Sequence, residues 1–140
     1  MGYTFIDHTA DVAADLTGAT LAQLFVSAAQ ALTDTITDRL QVRHTTSIAL
    51  TLEAATLEDL LVDWLNELLY QFEVRSLLTA DAEVAVVHEH GKWRVSATVH
   101  GEPFDPARHT PRVMIKSATY YGLHVEQQDG EWRARIVFDI

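Results

Sequence analysis

The stretch TLEDLLVDWLNELLYQFEV, residues 56–74, constrains the chain more than any other. Leu57, Leu60, Leu61, Trp64, Leu65, Leu68 and Leu69 recur at helical intervals. That spacing wraps a broad apolar face around a helix and does not fit the alternation of a half-buried strand. Thr56 stands at the N-cap position with Asp59 three residues on, the arrangement that ties down the first turn. A face this wide needs a second layer to cover it, and the rest of the chain must supply that layer.

Most of the remainder is patterned for strands. YTFID and DVAADLTG are short and bounded by turn residues, the second placing Val12, Ala14 and Leu16 on one side. TLAQLFVSAAQALTDTI interrupts them as a first helix. Its N-cap is Thr20 with Gln23 three residues later, and Leu21, Leu24, Phe25, Ala28, Ala29 and Leu32 form its apolar face. VRHTTSIALTLE returns to strand, rich in β-branched residues. AEVAVVHEHGKWRVSATVHG predicts a hairpin turning at Gly91-Lys92, and MIKSATYYGLHVEQ with EWRARIVFDI a second one around Asp129-Gly130. Between them EPFDPARHTPRV carries all three prolines and reads as a loop with at most one helical turn. The expected fold class is α+β: one domain over residues 1–140, two main helices packed on one face of a mostly antiparallel β-sheet of about seven strands.

Composition narrows the chemistry. A chain of 140 residues has the length of one domain with its own core. Cysteine is absent, which removes disulfides, thiolate metal sites and a cysteine nucleophile. Ser27, Ser47, Ser76, Ser96 and Ser117 lack a glycine-flanked nucleophile elbow. The six glycines form neither GxGxxG nor GxxxxGK[ST]. No basic n-region, apolar h-region or membrane-length apolar run is present, so a cytoplasmic protein without a membrane contact is expected. Twenty acidic against ten basic residues leave a formal charge of −10. With no basic patch to neutralise phosphates, tight direct binding of RNA or DNA is not expected. The acidic balance suits a basic protein partner or a bound cation, or serves solubility alone.

Two short stretches crowd hard ligands. DHTAD, Asp7 to Asp11, sets two carboxylates, His8 and a threonine between strand-like runs. Asp7 and Asp11 suit Asx-turn and capping roles. They also suit part of an oxygen shell for calcium or magnesium, with Asp15 nearby. The chain closes on an alternating strand in which Asp139 precedes Ile140, so an aspartate side chain and an α-carboxylate lie together. His88 and His90 lie two apart on one strand. With a turn at Gly91-Lys92, Trp93 and Val95 would oppose them, and neither is a zinc ligand.

These residues carry a resemblance. YTFIDHTADV, WLNELLY at Trp64 to Tyr70, GEPFDPARH with IKSATY, and the closing VFDI resemble four motifs of the archease family, in the same order and over essentially the whole chain. The sequence departs from the family at Tyr121, where histidine commonly follows T-Y, and at Ser117, where alanine is usual.

The resemblance implies an accessory protein and not a stand-alone enzyme. Its partner would be an RtcB-type RNA ligase, which joins a 3′-phosphate or 2′,3′-cyclic phosphate end to a 5′-hydroxyl end through a guanylyl intermediate. The accessory speeds guanylylation and supports repeated turnover in tRNA splicing or RNA repair. The resemblance also implies a divalent cation, calcium in the first place and magnesium in the second, held by Asp11, Asp139 and Ile140. Lys116 of IKSATY, Asp7 and His8 are further candidate contacts, with Asp105 and His109 ranked below them as turn residues. A chaperone-like role toward a tRNA cytosine-5 methyltransferase is the alternative the family suggests.

Overall fold

The computed structural model describes residues 2–6 and 11–140. Within them the chain runs β1 (Gly2–Ile6), β2 (Asp11–Gly18), α1 (Leu21–Ile36), β3 (Thr46–Ala54), α2 (Leu57–Arg75), β4 (Leu77–Glu89), β5 (Lys92–Pro103), β6 (Ser117–Gln128) and β7 (Glu131–Asp139). A short 3-10 turn, Arg39–Gln41, precedes β3.

Both helices begin where the caps predict. Thr20 Oγ1 accepts the Gln23 amide at 3.2 Å, and the Gln23 side chain reaches back to the Ala19 amide at 2.9 Å. Thr56 Oγ1 accepts the Asp59 amide at 3.1 Å. Glu58 and Asp59 face the positive end of α2 and Arg75 its negative end, both favourable to the helix dipole. Ser76 in the left-handed region, φ 55°, then ends α2.

The strands form two antiparallel sheets in place of the single sheet expected from the sequence: β1-β2-β7-β6 and β3-β5-β4. Alternation in a strand says which residues face inward but not which strand it will pair with, and the division follows from long-range partners. In the first sheet Ala14 opposes Ile136 and Leu16 opposes Ala134, all buried. In the second, Val95, Ala97 and Val99 of β5 lie buried on the inner side. α1 and α2 each touch strands of both sheets, so one continuous core lies between the helices and the two inner faces. Trp64 is completely buried there, its Nε1–H donating to the Phe25 carbonyl at 3.0 Å, which satisfies the indole's one polar group.

The β4–β5 turn corrects the sequence reading. His90 and Gly91 occupy it, with φ values of 54° and 74°, because a two-residue hairpin turn of the primed type needs positive φ at both central positions. Lys92 accordingly pairs with Glu89, and His88 opposes Trp93. The β6–β7 turn falls on Asp129 and Gly130, at 54° and 79°, as expected.

Gly101 is required by a close approach. A Cβ there would lie 1.8 Å from the Leu78 carbonyl oxygen of the neighbouring strand. Both atoms belong to the backbone of paired strands, so neither can swing away. Gly101→Ala is expected to destabilise the protein by about 3 kcal/mol or to prevent folding, read from urea unfolding; a loss under about 0.5 kcal/mol would show that β4 and β5 separate without cost.

Candidate functional site

Strands β2 and β7 of the first sheet decide the geometry. β2 and β7 are its two central strands, and their register sets Asp11 directly opposite Asp139. Residues opposed in this way project from the same face. Val12 opposes the fully buried Phe138 on the inner face, so Asp11 and Asp139 lie on the outer one. Ser117 of β6 opposes Asp139 from the other side. The Lys116 amide donates to the Asp139 carbonyl at 2.7 Å, which fixes the exposed Lys116 next to the pair. Ile140 follows Asp139 and is part-exposed.

Two carboxylates opposed across a strand pair repel. A hard cation is the partner that turns such a pair from a cost into a ligand set. Among the described residues no group of three histidine, cysteine, aspartate or glutamate side chains is arranged for a metal ion. Asp11 and Asp139 are two side chains, fewer oxygens than a hard cation takes, so a cation held here would draw its other ligands from elsewhere. Asp7 and His8 lie outside the described residues.

Asp15 does not join them. It lies four residues from Asp11, about 13 Å along the strand, and opposes Arg135. The Arg135 Nε and Nη2 groups donate to its two oxygens at 2.8 and 3.1 Å. That fork, helped by His124, holds the Asp15 carboxyl below its ordinary range. A carboxylate so engaged is spent on the sheet surface.

His88 and His90 have other places in the β4–β5 hairpin. The His88 ring stacks on Trp93 with centroids 4.2 Å apart and planes 3° apart, and His90 belongs to the turn.

GEPFDPARH resolves into a buried polar hub. Glu102 is almost wholly buried and accepts from the Arg43 amide at 2.7 Å and from both terminal nitrogens of Arg108 at 2.7 and 3.1 Å. His109 is completely buried. Its Nδ1 accepts the Asp105 amide at 2.8 Å, so Nε2 carries the proton and donates to Glu102 at 3.0 Å. Asp105 also accepts the Ala107 amide through Oδ1 at 2.9 Å. Asp105 and His109 thus have the turn roles their spacing suggested.

Two further contacts had no signal in the sequence beyond the motifs themselves. The Asn66 side chain of WLNELLY exchanges hydrogen bonds of 2.8 and 3.2 Å with the Ala118 main chain of IKSATY. It completes part of the ladder on the edge strand β6. Tyr120 donates its hydroxyl to Asp59 at 2.8 Å, and that bond pushes its phenol up to about 12.

The Arg108 hydrogen bond holds the Glu102 carboxyl down to about 2, from an ordinary 4.5, against the opposing effect of burial. Its folded-state value lies below its unfolded one, so its stabilisation is full above pH 4.5 and is lost as the pH falls toward 2. Urea unfolding across that window should show stability falling with acidification, and Glu102→Gln should flatten the slope; an unchanged slope would place the acid sensitivity elsewhere.

The sequence and the fold have known counterparts. Residues 3–140 match the archease protein family (MTH1598/TM1083). The chain is 37% identical to protein archease of Methanopyrus kandleri over 140 residues, covering 100% of each. It is 37% identical to protein archease of Methanosarcina mazei, covering 99% of this chain and 95% of that one. The solution structure of protein 1598 of Methanobacterium thermoautotrophicum superposes with a TM-score of 0.85 at 25% identity over 99% of both chains. The Thermotoga maritima structure, named an archease and possible chaperone, shares the fold with a TM-score of 0.59 at 19% identity, covering 96% of this chain and 94% of that one.

Proposed function

This chain belongs to the archease family, and from that premise we propose that it is a cation-binding accessory protein that activates an RtcB-type RNA ligase and has no turnover of its own. The observation that carries the reading is the opposition of Asp11 and Asp139 on the outer face of the sheet. These are the second aspartate of DHTAD and the penultimate residue of VFDI, the two positions the family resemblance pairs.

The donor set fits a hard divalent cation. Asp11, Asp139 and the main chain of Ile140 offer oxygens, which suits calcium first and magnesium next better than zinc. Bound there, the cation would supply positive charge to phosphate oxygens at a ligase active site. The protein's own part is to hold two like charges at fixed separation on paired central strands, and to set Lys116 beside them. Its ammonium is a mobile point charge able to meet a phosphate or a third carboxylate.

The charge balance supports the same reading. At −10 the chain repels RNA, while a basic ligase cleft attracts it and raises the encounter rate. Work in the cytoplasm, on tRNA splicing or RNA repair ends, belongs to this proposal.

The test is single-turnover guanylylation of a cognate RtcB-type ligase with and without the native chain. Native protein should accelerate the step. Asp11→Ala, Asp139→Asn and a version extended beyond Ile140 should each lose most of that acceleration and bind calcium at least roughly tenfold more weakly by calorimetry. Acceleration that survives all three changes would remove the cation from the mechanism. Absence of any acceleration would sink the ligase reading and turn attention to a tRNA cytosine-5 methyltransferase.

A further inference from the structure

The cation end leaves one surface of the molecule unaccounted for. Asp59, Asp63, Asn66, Tyr70 and Glu73 succeed one another on α2 at intervals of three and four residues, which lines them up on one stripe of the helix. The segment from Met114 to Tyr121 runs antiparallel along that stripe. Tyr120 reaches Asp59 at one end and Ala118 holds Asn66 in the middle. At the other end Met114 and Glu73 line a cavity of about 390 Å³ with Phe72, Phe104 and Pro111.

This seam is rich in exposed apolar surface. Tyr70 is 51% exposed, Met114 68%, Tyr120 56% and Tyr121 70%. The tyrosines of β6 project because the register with β7 slips: Thr119 pairs with Val137 and His124 with Arg135, so residues 120–123 stand against Ile136 alone. An extra loop of this kind in a sheet edge re-aims side chains outward. The seam is also acidic, with Asp59, Asp63 and Glu73 on the helix side. Asp59 and Asp63 stand one turn apart as like charges, an arrangement that costs the helix stability. Burial, with Asp59 adding to it, pushes the Asp63 carboxyl above its ordinary range.

Aromatic rings beside carboxylates make the chemistry that receives guanidinium and ammonium groups, through cation–π contact and charge-assisted hydrogen bonds. A second copy of this chain would bring a charge of −10 against an acidic seam. Nucleic acid and an anionic membrane are disfavoured by the same repulsion. We propose that the α2–β6 seam is a docking surface for a protein partner that presents arginine or lysine side chains among apolar ones. The seam runs into Ser117, the cross-strand neighbour of Asp139, so a partner seated on it is carried to the cation end. The partner used as probe is the RtcB-type ligase, and to that extent the inference rests on the proposed function.

The native chain is titrated into the ligase by calorimetry at low and moderate salt, beside Tyr70→Ala/Tyr121→Ala and Asp63→Lys. Each variant should weaken binding by roughly tenfold or more, and added salt should weaken the native complex. Tyr70→Phe/Tyr121→Phe should keep most of the affinity, and unchanged melting temperatures should show that the fold survives. Native binding with both variants within roughly twofold of it overturns the seam and leaves the ligase reading standing. A native chain that neither binds nor stimulates the ligase sinks both. Sedimentation of the free chain as a dimer that the alanine pair dissolves would assign the seam to self-association and overturn the proposal.

Discussion

The pairing of β2 with β7 is the interaction on which the rest depends. It joins residues 11–18 to residues 132–139 in eight consecutive register positions. On its inner side it lays down Ala14, Leu16, Ile136 and Phe138, all wholly buried against the helices. On its outer side it opposes Asp11 to Asp139. One register serves both faces. A slip of one residue would turn the apolar set out to solvent and separate the carboxylates at the same stroke. Core burial therefore enforces the placement of Asp11 opposite Asp139.

Loop closure across more than a hundred residues carries an entropic cost that local contacts do not offset. The flanking elements stabilise the closed arrangement. α1 lies against β2 and β7, and α2 holds the edge strand β6 through Asn66, whose amide mimics a strand neighbour for Ala118. The hub of Glu102, Arg108 and His109 ties the end of β5 to the loop that leads into β6. Its buried charge is matched by two cationic or polar donors and a backbone amide, which is the condition under which burying a carboxylate is tolerable. Gly101 and Glu102 stand side by side in that motif for different reasons, one for lack of a side chain and the other for a fully engaged one.

How much of this the sequence discloses follows the range of the physics involved. Helical periodicity and caps are local, so both helices and both threonine caps are readable. The Asp129-Gly130 turn is readable because glycine in a primed turn is a local requirement; the β4–β5 turn misleads because His90 accepts a positive φ that sequence rules assign to glycine first. The split into two sheets is not readable, since strand pairing is a property of distant partners. The candidate site divides in the same way. Asp11 and Asp139 are suspicious separately, but only the β2–β7 register makes them neighbours. Asp15 looks like a third ligand on spacing and is not, because Arg135 opposes it across the strands. Asp7 and His8 lie outside the described residues.

The carboxylates differ in what the strand pairing sets beside them. Asp15, Glu102 and Asp105 each have donors at hydrogen-bond distance supplied by the fold itself, and their work is finished inside the protein. Asp11 and Asp139 oppose each other as like charges, and Asp59, which accepts the Tyr120 hydroxyl, stands one helical turn from Asp63. Both pairs lie on the surface reached from β6, one at its start and the other beside its tyrosines. These two pairs of like charge are the surface places at which the proposed cation and the proposed basic partner would add positive charge.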